Sequence, residues 1–280
     1  MNRIAILLLI FQLPLIGAAQ EWELGLQAGA SGYMGDINPE NPLAFNDWSA
    51  GAFVKYNLNH TWGIRGNFAY ANTYAHDTHS RVQQRRDRNL GFFGPIMEAA
   101  VLVDFNFFKW LPQRGRIVYT PYIFAGVGGI YYDPKVYLAP SGGGPAKKIS
   151  LREIQTEYHV TDNPDSYAKY AVSIPFGAGF KYNLRGPWSV GIELGYRLAL
   201  TDYLDDVSGN YPLTPPPFLN DPNDPSSRYS VTQWQSLAYG NSPGASPGSQ
   251  RGDGRPYDSF MTVGITLSYT IFKGGCPEWQ

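Results

Sequence analysis

From Ser259 to Phe272 the chain alternates without a break. Met261, Val263, Ile265, Leu267, Tyr269 and Ile271 occupy one face, and Thr262, Gly264, Thr266, Ser268 and Thr270 the other. A period of two sends alternate side chains to opposite sides of a strand. Six successive apolar groups on one side suit hydrocarbon better than half of a water-soluble core. The length also matches the roughly 9–11 residues that a tilted membrane-crossing strand needs. A chain with eight such strands can close into a barrel with an apolar exterior.

Reading for the same period gives eight strands: 22–31, 48–58, 62–70, 97–107, 119–131, 171–184, 188–200 and 259–272. Trp188, Val190, Ile192, Leu194, Tyr196 and Leu198 make the seventh nearly as regular as the eighth. The fifth is the weakest, with Tyr122 and Phe124 on its inward side and Pro121 within it. Connections alternate in length. Turns at Asn59, Lys109–Arg116 and Gly186–Pro187 are short, whereas 32–47, 71–96, 132–170 and 201–257 are long. Short turns at one rim and long loops at the other are the topology of bacterial outer-membrane barrels. The expected fold is therefore all-β: a transmembrane, antiparallel, up-and-down β-barrel of about eight strands, OmpX/OmpA-like, with long external loops.

The first residues read as an export signal. Arg3 precedes the apolar Ile4–Ile10, and Gly17-Ala18-Ala19 offers a cleavage site before Gln20. Gln12 and Pro14 interrupt the stretch, which is short for a spanning helix. The expected organisation is a signal peptide over 1–19 and one barrel domain over 20–280, exported to the Gram-negative outer membrane. A net charge of −1 gives no field to recruit nucleic acid. The single cysteine, Cys276, excludes an internal disulfide and any CxxC motif.

The inward faces carry Glu23, Lys55, Arg65, Glu98, Asp104, Lys181, Glu193 and Arg197. Buried charges must be paired, so a salt-bridged, closed lumen without a diffusion pore is expected. Trp22, Trp62, Trp110 and Trp188 fall at the short-turn ends of strands, where an interfacial aromatic girdle would stand.

Catalytic motifs are absent, and no cofactor is expected. His76-Asp77-Thr78-His79 could hold a metal, but the segment reads first as a solvated loop. Arg81, Arg85, Arg86 and Arg88 could meet lipopolysaccharide phosphates or simply face solvent. Arg251-Gly252-Asp253 spells an adhesion tripeptide that reads as coincidence in a Gly- and Pro-rich loop. Asp36, Asp202, Asp205 and Asp206 lie at the external ends of strands that flank the last one. They are candidates for Ca²⁺, with turn capping as the other reading. The loop 201–257 lacks periodicity and is rich in Pro, Gly and Ser, so it reads as mobile or disordered.

Several segments in order resemble the PorG-like outer-membrane barrel family, the DUF6089 group. They are Gly35-Asp36-Ile37-Asn38-Pro39, Phe105-Asn106-Phe107-Phe108, Thr120-Pro121-Tyr122-Ile123-Phe124 and Ile174-Pro175-Phe176-Gly177. The fullest is Gly195-Tyr196-Arg197 followed by Thr201-Asp202-Tyr203-Leu204-Asp205-Asp206-Val207-Ser208-Gly209, and Lys273-Gly274-Gly275-Cys276-Pro277 resembles the family's ending. The resemblance implies a noncatalytic component of the type IX protein secretion apparatus, associated with the periplasmic PorK–PorN ring and in some members with gliding motility. It transfers no partner-contacting residue. Outer-membrane lipid or lipopolysaccharide and the ring proteins are the partners it implies. A stand-alone structural or adhesive barrel with external binding loops is the alternative, and a loop-borne hydrolase a second.

Overall fold

The computed structural model describes residues 21–41, 43–111, 117–139, 144–158, 166–220, 229–241 and 245–271. The expected signal peptide over 1–19, His159 and the tail from Phe272 onward lie outside the described residues.

Eight long strands close on themselves. They are β1 (Glu21–Met34), β2 (Asp47–Asn57), β3 (Trp62–His76), β4 (Gly91–Asn106), β5 (Tyr119–Tyr132), β8 (Tyr170–Arg185), β9 (Trp188–Ala199) and β10 (Ser259–Ile271). Every neighbour pair is antiparallel, and β1 pairs with β10 to complete the ring. The chain folds as a closed eight-stranded antiparallel β-barrel. Closure leaves no free edge in the wall.

Alternation builds the wall as the sequence requires. Leu24, Leu26, Val54, Phe68, Val101, Val127, Ile192, Ile265 and Leu267 stand exposed on its outside. Most of their neighbours along each strand are buried within. Such an apolar band around a closed barrel is matched to hydrocarbon, since no backbone polar group needs water. The short turns are built locally. Asn59 Oδ1 accepts from the backbone N–H groups of Thr61 and Trp62, both at 2.8 Å, and Gly186 takes φ 61° between β8 and β9.

Two features depart from the sequence expectation. Strands β3 and β4 continue past the expected ends, pairing as far as His76 with Gly91. The third long loop contains a hairpin, β6 (Lys135–Leu138) and β7 (Lys147–Ser150), which joins β4 through Phe93 and Lys135. Three short helices follow the same external side: α1 (Gln83–Arg88), α2 (Leu151–Ile154) and α3 (Val231–Ala238).

These pieces form a cap. Leu204 and Val207 from the fourth loop enter the barrel mouth and pack with Tyr33, Phe92, Ile130 and Phe260. Trp234 of α3 is buried with Ile149, Ile154 and Leu219 in a second cluster. The sequence expects 201–257 to be mobile or disordered, yet its described residues pack into these clusters. Ordering here comes from burial of isolated large side chains, which periodicity does not register. At α3 it is helped by a capping box between Ser230 and Gln233.

Candidate functional site

The lumen and the cap above it hold the polar machinery of this molecule. In the lumen, all eight charges named from the sequence are buried. Lys55 Nζ lies 2.7 Å from Asp104 Oδ2, and Arg65 Nη1 2.7 Å from Glu193 Oε2. Arg65 Nε is 3.3 Å from Asp104 Oδ1, an ion pair without hydrogen-bond alignment. Arg197 Nε approaches Glu98 Oε2 at 3.2 Å, and the Ser173 hydroxyl donates to the other oxygen of Glu98. Tyr122 and Phe124, the inward aromatics of β5, join this network. The Tyr122 hydroxyl donates to Glu193 at 2.8 Å, and Phe124 lies under the Arg65 guanidinium at 4.7 Å.

Two charges differ from the expectation that each is paired. Glu23 accepts from the Ser268 hydroxyl at 2.6 Å and leaves Oε2 without a partner. Lys181 is held by aromatic faces, 4.6 Å from the Trp110 ring centre and 5.4 Å from that of Tyr122. Trp110 itself departs from the expected girdle. Trp22, Trp62 and Trp188 are 45%, 45% and 46% exposed on the outside, each against another aromatic ring, whereas Trp110 is only 5% exposed. It turns in beneath the lumen and covers the Lys181 ammonium, which has no carboxylate within ion-pair distance among the described residues, a contact worth about 2 kcal/mol when desolvated. The void between Glu23, Lys55, Arg65, Asp104 and Lys181 is about 10 Å³, room for one water. The lumen is filled with side chains, as a barrel of eight strands permits.

The cap is tied by two buried guanidinium centres. Arg88 makes a forked pair with Asp77, at 2.7 and 2.9 Å, and donates to the carbonyl oxygens of Arg251 and Asp36. Arg251 pairs with Glu157 and donates to the carbonyl oxygens of Ala238 and Asp206. All four external loops are thereby joined. The sequence reading missed this role for both arginines. Arg251 is buried, so the adhesion tripeptide is not presented. Arg88 is consumed within the cap and Arg85 pairs with Glu40 at 3.2 Å, which dismantles the expected exposed arginine cluster.

The candidate calcium ligands are placed as caps and acceptors. Asp205 takes the backbone N–H groups of Ile37 and Val207, and Asp36 that of Asp253. Asp206 accepts from the hydroxyls of Tyr167 and Thr156. Asp202 is half-buried beside them. Among the described residues no group of three or more His, Cys, Asp or Glu is placed to hold a metal ion. In the histidine segment, Asp77 is committed to Arg88, and His76 Nδ1 accepts from the Thr78 N–H. Burial pushes Asp206 and Asp202 up to about 7, and Asp36 up to about 6. Burial and the neighbouring carboxylates hold Asp205 and Asp258 well above the usual range.

The other motif residues of the family resemblance are structural here. A Cβ at Gly35 would fall 1.9 Å from the Tyr33 hydroxyl and 2.0 Å from Asp258 Oδ1. Asn38 Nδ2 donates to the carbonyl oxygens of Tyr33 and Asn41, fixing the turn that ends at Pro39. Thr201 Oγ1 bonds Tyr132, Tyr203 stacks on Tyr167 at 4.6 Å, and Leu204 N–H donates to Asp258. A polar cleft of about 340 Å³ opens between the first, second and fourth loops, lined by Asp36, Arg85, Tyr211, Gln250 and Asp253.

Solved structures of three small barrels are similar. The attachment invasion locus protein Ail of Yersinia pestis, solved in complex with the heparin analogue sucrose octasulfate, is 12% identical, with 90% of this chain and 99% of that chain covered and a TM-score of 0.39. OprG of Pseudomonas aeruginosa is 11% identical over 89% and 97%, with a TM-score of 0.42. Neisserial surface protein A is 6% identical over 88% and 95%, with a TM-score of 0.41. No curated protein matches the chain. A family model described as a domain of unknown function, DUF6089, matches residues 2–143, half of the chain.

Proposed function

The chain belongs to the DUF6089 family, and we propose that it serves as a noncatalytic, closed outer-membrane barrel of the type IX protein secretion apparatus. In this reading it anchors, or associates with, the periplasmic PorK–PorN ring. The observation that carries the closed-barrel part is the sealed body. Arg65, Glu193, Lys55 and Asp104 fill the lumen, and Leu204 and Val207 stop the mouth. A barrel so filled offers no conduit, which is compatible with a role in anchoring and contact. The assignment to the apparatus is supported by the resemblance of the ordered motifs from Gly35 to Gly209 to those of the PorG-like barrels.

Crosslinking and pull-down of a tagged chain from native membranes tests this reading. Periplasmic ring proteins should be recovered, and deletion should stop cargo export. Truncation after Phe272 locates the contact: ring association lost with insertion intact implicates the tail, while normal association frees it of that role.

The alternative is a stand-alone barrel that binds through its external side. It is favoured by the polar cleft and by the packed cap, which presents a fixed surface. Recovery of the barrel without ring proteins, with export intact, would favour it.

A further inference from the structure

The β6–β7 hairpin carries Lys135, Lys147 and Lys148 and no acidic residue in either strand. Lys135 and Lys169 share one carboxylate, Asp133, at 3.0 and 3.1 Å. Lys147 and Lys148 are exposed, and neither makes an ion pair among the described residues. Positive charge therefore exceeds negative charge on this face.

The hairpin lays one aromatic onto the barrel wall. Tyr137, 63% exposed, stacks on Phe93 with ring centres 4.8 Å apart and planes at 26°. Lys148, directly opposite Tyr137 in the hairpin, places its Nζ 5.0 Å from the centre of the same Phe93 ring. Phe93 lies on the outward side of β4, in line with Met97 and Val101, and Tyr74 of β3 sits opposite it.

Depth along the barrel identifies the partner. The outer aromatic level is marked by Trp48 stacked on Tyr70 at 5.0 Å, with Tyr70 opposite Met97. Phe93 is four residues beyond Met97, about 10 Å further out at ~3.3 Å per residue and ~40° of tilt. An aromatic and lysine patch at that height meets lipid headgroups rather than acyl chains. We propose that Lys148, seated over Phe93 and opposite Tyr137, docks the phosphate of an anionic outer-leaflet lipid, a phosphorylated lipid A headgroup, with the exposed Lys147 next to it on the strand adding positive charge. Of the second-loop arginines, Arg88 is buried in the cap, Arg85 pairs with Glu40 and Arg86 bonds Ser80 and Gln83, and the exposed Arg81 serves as the control. The proposal rests on the outer-membrane reading above.

The full barrel, purified in a zwitterionic detergent and shown folded by heat-modifiable migration, is titrated with bisphosphorylated lipid A and followed by native mass spectrometry. Lipid A should be retained, and the K147A/K148A variant should lose at least tenfold in affinity with unchanged migration. K148Q should lose a part, and R81A none. Equal retention by K147A/K148A overturns the proposal, as does equal retention of zwitterionic phosphatidylcholine. Inorganic phosphate that displaces lipid A at matched concentration makes the site one for free phosphate and also overturns it. Failure to insert into vesicles is a separate readout: it would overturn the membrane reading and the docking site with it.

Discussion

Arg65 of β3 and Glu193 of β9 meet across the barrel lumen, 2.7 Å apart and both buried, although 128 residues separate them in sequence. Each belongs to a larger set. Arg65 also faces Asp104, and Glu193 also takes the Tyr122 hydroxyl.

Removing one partner strands the others. Arg65→Met leaves Asp104 and Glu193 without their shared guanidinium, at a cost of about 3–5 kcal/mol. The measurement is urea unfolding in lipid vesicles, followed by heat-modifiable migration. Replacing Glu193 by Met in the same chain should recover part of the loss. A loss below ~1 kcal/mol for Arg65→Met would mean that water enters the lumen freely.

The packed lumen makes a statement about conduction. Reconstituted in planar bilayers, the protein should show no steady porin-like channel. Because the cap and the Arg65 layer both close the barrel, shortening the fourth loop alone should leave it closed. Stable conductance of the intact chain would contradict the packing described.

The cap should loosen as pH rises. Asp206 ionises near 7 in the folded cap and near 3.8 when unfolded, so the folded state holds the proton over that interval. Stability from this group is complete below about pH 4 and falls away as pH approaches 7, in all on the order of 4 kcal/mol. Asp202 and Asp36 are raised in the same direction. Opposing groups are the Arg251 guanidinium, 4.0 Å from Asp206 and paired to Glu157, and Arg88 beside Asp36. Backbone hydrogen exchange in 201–211 should be slower at pH 5.5 than at pH 8, after correction for intrinsic rates. The opposite order would sink the assignment.

Trp110 gives an optical test. Aqueous quenchers should reach it poorly, and lipid-borne quenchers should act on Trp22, Trp62 and Trp188 instead. Trp110→Ala removes the ring that covers Lys181 and should destabilise the barrel by about 3–5 kcal/mol. Full quenching of Trp110 by brominated lipid would return it to the girdle.

The wall was legible because its two faces meet different solvents. Ile265 against Thr266, or Ile192 against Glu193, is a contrast that period two exposes directly. Where β3 and β4 rise beyond the apolar band the contrast fades. Ala71, Asn72, Thr73, Tyr74, Ala75 and His76 show no clean alternation, although all six pair. The cap was hidden for a different reason. Its order rests on single residues such as Trp234, Arg88 and Arg251, whose partners lie in other loops and leave no local pattern. Trp110 was misplaced because a position at a strand end does not reveal which way a ring turns.

The cap also has a place in the order of assembly. Tyr33 donates to Asp258 across 225 residues, and Asp36 accepts from Asp253 across 217. Both links join the start of the chain to its end, next to the seam where β1 meets β10. They can form only after the last strand has docked, since contacts so distant in sequence are the slowest to be reached. A finished cap is therefore a signature of completed ring closure. Any partner that recognises the capped surface would engage matured molecules and pass over those still open at the seam.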